Sequence, residues 1–117
     1  MNFYDRNGKP IAYLHDDKHI FLFSGEPVAY FSDDAVYGFN GKYLGWFKDG
    51  WIIALDGTRV FFTEDATGGP MKPMKQMKPM KSIKQMKPMK SMKEMRSMKS
   101  MSSSSWSSLS GTSFFKQ

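Results

Sequence analysis

Four glycines recur at nearly constant spacing in the first half of the chain, and each follows a turn-forming residue. They are Gly8, Gly25, Gly41 and Gly57, spaced 17, 16 and 16 residues apart, after Asn7, Ser24, Asn40 and Asp56. Short apolar runs flank every one. Three positions after the glycines stand Ile11, Val28, Leu44 and Val60, and five after them stand the aromatics Tyr13, Tyr30, Trp46 and Phe62. Four before them stand Tyr4, Phe21, Tyr37 and Ile53, and eight after them Asp16, Asp33, Asp49 and Asp65. Agreement at so many offsets marks an internal repeat.

Each unit reads as strand, tight turn, strand, second turn. Asn40-Gly41 suits a two-residue type I′ turn, in which both residues need φ > 0. A turn signal about every eight residues leaves no room for a stripe of helical period. The prediction is an all-β fold: four repeated β-hairpins, about eight short strands, closed into a shallow barrel or ring that removes exposed edges. A two-residue turn pairs Tyr4 with Ile11, Phe21 with Val28, Tyr37 with Leu44 and Ile53 with Val60 on one face. The other face carries Phe3, Ile20, Val36 and Ile52 with the small partners Ala12, Ala29 and Gly45, and Phe61 as the exception. Both faces are therefore partly apolar, and something is expected to cover the second: the tail, another subunit or a ligand.

The domain boundary falls at Thr67-Gly68-Gly69-Pro70, with the repeats in residues 1–66. From Met71 to Met101 runs a Met-Lys-x triplet, broken at its first two positions only by Ile83 and Arg96. A period of three would drift by about 60° per step around an α-helix. On polyproline II, with three residues per turn, it keeps Met, Lys and x each on one side. Pro73, Pro79 and Pro88 favour that backbone. The tail is expected to be polyproline-II-like or disordered, about 95 Å long if straight. Residues 102–117 form a Ser-rich segment with the apolar anchors Trp106, Leu109, Phe114 and Phe115.

The two halves carry opposite charge. Residues 1–70 hold 6 Lys/Arg against 10 Asp/Glu, a net −4, and residues 71–117 hold 11 against one, a net +10. Such a tail suits an unspecific anionic partner, acidic lipid or nucleic acid, or docking on the acidic head. It is also a candidate for homo-oligomerisation, through the triplets or the four apolar anchors. Without interleaved aromatics it cannot read bases. Thioether runs can bind Cu(I), but a lysine beside nearly every tail Met repels a cation and Ile83 lacks sulfur, so no metal or other cofactor is expected.

His15, Asp16, Asp17, Lys18 and His19 gather residue types used in catalysis, but the equivalent corners, Asp33-Asp34 and Asp49-Gly50, have no histidine. Turn chemistry explains them, and no enzyme is expected. Asp16, Asp33, Asp49 and Asp65 form a candidate acidic rim for a cation or for the tail's lysines. Tyr13, Tyr30, Trp46 and Phe62 form a candidate ligand-binding aromatic wall. There is no cysteine, no secretory signal and no membrane-spanning run, which points to the cytoplasm.

The segments YDRNGKPIAYL (4–14), LFSGEPVAY (22–30), FNGKYLGWF (39–47) and VFFTED (60–65), the Gly68-Gly69-Pro70 boundary and the triplets after it resemble the bacterial 4-fold beta flower domain family. The resemblance spans nearly the whole chain. It implies a shallow, pseudo-fourfold β-barrel with an apolar central channel, which could take a small molecule or lipid, and it supplies no activity. Tails of that family often carry valine in the methionine position, which counts against a thioether-specific role.

Overall fold

A computed structural model describes residues 1–117. Eight strands follow in order: β1 (Asn2–Tyr4), β2 (Pro10–His15), β3 (His19–Leu22), β4 (Pro27–Ser32), β5 (Ala35–Tyr37), β6 (Tyr43–Lys48), β7 (Trp51–Ala54) and β8 (Arg59–Phe62). Each pairs antiparallel with the next, and β8 returns to β1 at Tyr4 and Phe62, closing a barrel. No sheet edge is left free.

The glycine turns differ from the two-residue form expected. Gly8 N–H donates to Asp5 O, and Asp5 N–H donates to Lys9 O, both at 2.9 Å. The same pair of bonds recurs from Leu22 to Glu26, Gly38 to Lys42 and Ala54 to Thr58. Only the glycines have positive φ, 80°, 96°, 86° and 87°, and Asn7, Ser24, Asn40 and Asp56 do not. This is a type I turn followed by a left-handed glycine, the three-residue hairpin loop with a bulge. The extra residue shifts the register once per hairpin. Tyr4, Phe21, Tyr37 and Ile53 consequently sit opposite Pro10, Pro27, Tyr43 and Arg59, not opposite Ile11, Val28, Leu44 and Val60. Paired positive φ occurs at the aspartate corners instead, at Asp16 and Asp17 (53° and 60°) and at Asp49 and Gly50 (53° and 84°). Aspartate and glycine are among the residues that tolerate the left-handed region.

Beyond the bulge the pairs Phe3–Ala12, Ile20–Ala29, Val36–Gly45 and Ile52–Phe61 are those expected, and these residues point inward. Phe3, Ala12, Ile20, Ala29, Val36, Ile52 and Phe61, from seven strands, belong to one packed cluster, and each is fully buried. Gly45 supplies the eighth strand, where an added Cβ would lie 2.1 Å from Ile53 O. Large and small side chains alternate around most of this ring, which suits the filling of a narrow interior by side chains. Leu44 and Val60 join the same cluster, with Phe114 and Phe115 from the short 3-10 helix Gly111–Lys116. Phe115 stacks on Phe61 at 5.2 Å between ring centroids, and Phe114 meets it edge-on at 5.8 Å. Leu14, Phe31 and Phe47 also pack against the cluster. The expected central channel is thus a packed core.

The outward residues Tyr4, Tyr13, Phe21, Tyr30, Tyr37, Trp46, Ile53 and Phe62 fall into three separate clusters and are all buried. Their cover is the tail. Residues 71–101 contain neither helix nor strand. The backbone N–H groups of Gln76, Gln85, Glu94 and Ser103 donate to the carbonyls of Gly8, Gly25, Gly41 and Gly57 at 2.8–2.9 Å. Ser82 and Ser91 donate likewise to Phe23 and Phe39. Nine tail residues therefore accompany each hairpin. The molecule measures 36 × 36 × 22 Å, far shorter than the straight rod, because the tail winds around the barrel.

A Cβ added to Gly8, Gly25, Gly41 or Gly57 would lie 2.0–2.3 Å from the tail carbonyls of Met74, Ile83, Met92 or Met101. These positions need glycine both for positive φ and for the approach of a second backbone. The substitution Gly41→Ala is expected to cost about 1–3 kcal/mol through strain and to loosen the tail near Met92. Hydrogen exchange at Ser91 and Glu94 checks this: unchanged protection there would contradict the close approach.

Candidate interaction surface

The triplet gives the tail three sides with different roles. The x residues face the barrel through the hydrogen bonds above. The first positions face away: ten methionines and Ile83 are each 90–94% exposed. The third side carries lysine, and several of these lysines lie along the aromatic wall. Lys81 Nζ stands 4.3 Å from the ring centroid of Tyr13, Lys90 Nζ 4.5 Å from Tyr30 and Lys99 Nζ 5.9 Å from Trp46. The first of this nine-residue series, Lys72, donates to Ala66 O at 2.7 Å. Such contacts combine ring electrostatics with the apolar lysine stem.

The residues expected as a ligand-binding wall are therefore placed on the outside of the barrel. Tyr13, Tyr30 and Trp46 lie beneath tail lysines. Phe62 stacks on Tyr4 at 5.4 Å and meets Trp106 edge-on at 6.2 Å. The terminal anchors are used within the same chain: Trp106 bridges in parallel to Arg59 and packs on Trp51, and Leu109 packs on the inner cluster with Phe114 and Phe115. A family model described as the 4-fold beta flower protein matches residues 1–115. The chain belongs to this family. Neither the curated proteins nor the solved structures gave a match. Membership in the beta flower family carries a fold and leaves the function open.

In this beta flower the four aspartates of the expected rim do different things. Asp16 Oδ1 accepts the backbone N–H groups of Lys18 and His19 at 3.3 and 3.0 Å. Its carboxylate also meets His19 Nδ1 at 3.0 Å and Lys87 Nζ at 3.8 Å. Asp33 pairs with Arg96 at 3.4 Å, and its neighbour Asp34 pairs with both Arg96 and Lys99. These cations belong to the tail. Asp49 and Asp65 make no ion pair. No three His, Asp or Glu side chains converge to hold a metal. The Lys99 contact holds the Asp34 carboxyl below the usual range.

The main feature that the triplet pattern hid is a longer period of nine. Pro70, Pro79 and Pro88 recur nine apart, as do Gln76, Gln85 and Glu94, and Ser82, Ser91 and Ser100. Glutamine, glutamate and serine provide the N–H groups that bond to the barrel, and proline falls where none is used. Glu94 adds side-chain bonding, accepting Tyr43 N–H through Oε1 at 2.8 Å, while its carbonyl accepts Tyr37 O–H at 2.9 Å. The largest groove, about 500 Å³, lies between β6 and the tail, lined by Trp46, Phe47, Lys48, Lys99 and Met101 with the paired Asp34.

Burial lowers the pKa of His19 below its ordinary 6.5, against the opposing pull of Asp16. Its ring is stacked on Phe39, 6.3 Å between centroids. The unfolded chain then takes up a proton before the folded one. This contribution to stability is full above about pH 6.5 and is lost as pH falls through the lowered folded value. Denaturant unfolding between about pH 7.5 and pH 5 should show falling stability, and His19→Gln should flatten that slope. An identical slope in the variant would remove His19 from the account.

Proposed function

We propose that this beta flower protein is a non-enzymatic interaction module whose outer belt docks on an acidic lipid surface. The observation that carries the reading is the row of eleven apolar side chains, each at least 90% exposed, on a segment of net charge +10. Soluble proteins rarely leave so continuous an apolar row without a partner. Surface binding of this kind combines shallow apolar insertion with attraction of lysines to anionic headgroups.

Other occupants fit less well. No aromatic side chain is among the exposed large hydrophobics, so single-stranded nucleic acid has nothing to stack on. A second belt would bring like charge against like charge. The barrel interior is filled by its own side chains, which favours the outside over a central ligand. No helix is long and apolar enough to cross a membrane.

Co-sedimentation of the full chain with vesicles of phosphatidylserine and phosphatidylcholine tests the reading. Binding should require the acidic lipid and fall at high salt, because screening shortens the reach of charge. Lys78 and Lys93 have no ion-pair or aromatic partner. Replacing either by Gln should weaken partitioning by roughly fivefold, the equivalent of about 1 kcal/mol per lysine. Protein that stays in the supernatant with acidic vesicles at low salt would end the proposal.

A further inference from the structure

All sulfur in this chain lies on its surface. Met1 is half exposed, the ten belt methionines are 90–94% exposed, and the chain has no cysteine. No methionine belongs to any of the four packed clusters. The tail is held by backbone N–H groups, by the side chains at the x positions and by lysines, and no hydrogen bond uses a methionine sulfur. Ile83 sits among the methionines with the same exposure, so the position does not require sulfur.

We propose that the belt is a modification site for two-electron peroxide oxidants, and that its oxidation makes the belt polar while the fold persists. In each step a thioether sulfur attacks one oxygen of hydrogen peroxide. The S–O bond forms and the O–O bond breaks. The sulfur loses two electrons, and the second oxygen leaves as water with both protons. The product sulfoxide is polar and can be reduced back by enzymes. Because every belt sulfur points away from the barrel, ten such events disturb no packed contact. The effect on docking rests on the lipid-surface reading above, whereas the modification and the survival of the fold do not.

The full chain is treated with hydrogen peroxide and followed by peptide mass spectrometry, thermal melting and vesicle co-sedimentation. One added oxygen is expected at each of the ten belt methionines, at similar rates. The melting transition should be retained and tail protection unchanged. Partitioning to acidic vesicles should fall by roughly tenfold or more. A second variant carries isoleucine, the residue already present at position 83, at all ten belt methionines. It should bind vesicles before and after peroxide alike. Loss of the melting transition on oxidation, or belt methionines that resist it, overturns the modification proposal. Equal vesicle binding by oxidised and untreated protein overturns the polarity switch. Failure of the untreated protein to bind acidic vesicles is a separate result: it defeats the docking reading, while the mass and melting data still decide the modification.

Discussion

The structure depends on one close approach, the passage of the tail backbone over four glycine turns. Each turn places a carbonyl where a tail N–H can reach it, and each lacks the Cβ that would collide with a tail carbonyl at 2.0–2.3 Å. The outer aromatic wall would otherwise face water. Burying Tyr13, Tyr30 and Trp46 under lysine stems removes apolar surface from solvent, and the backbone bonds fix where each stem lies. Ordering a low-complexity tail costs conformational entropy, and here the barrel wall supplies the compensating contacts.

Two covers thus complete one sheet. The wound tail closes the outside, and Phe114 and Phe115 pack against the inner ring. This resolves the puzzle of a small antiparallel sheet with two apolar faces, which would usually leave one face wet. The charge division follows the same arrangement. Tail cations reach Asp16, Asp33 and Asp34 on the head, so part of the opposite charge is satisfied within the molecule. The methionine side takes no part in these contacts and remains for something else.

Much of this was legible in the residues. The glycine spacing gave the four hairpins, and the triplet period gave a backbone with three constant sides. The turn type was not legible, because a residue pair such as Asn40-Gly41 suits both a type I′ turn and a type I turn with a left-handed glycine. That ambiguity spread into register: one extra residue per hairpin changed the partners of Tyr4, Phe21, Tyr37 and Ile53. Separately, with both faces apolar, the alternation of Ala12 and Tyr13 does not say which of the two points inward. The period of nine was present in Pro79 and Pro88 and in Gln76 and Gln85, but the stronger period of three masked it.

Those two periods act together like the scales of a vernier, and they set which changes of length the tail can absorb. Loss of one triplet, such as residues 80–82, would keep every methionine outward. It would also bring Pro88 to the position from which Gln85 now donates to Gly25, and proline has no hydrogen to give. Insertions and deletions in steps of nine preserve both scales, one quarter of the flower at a time.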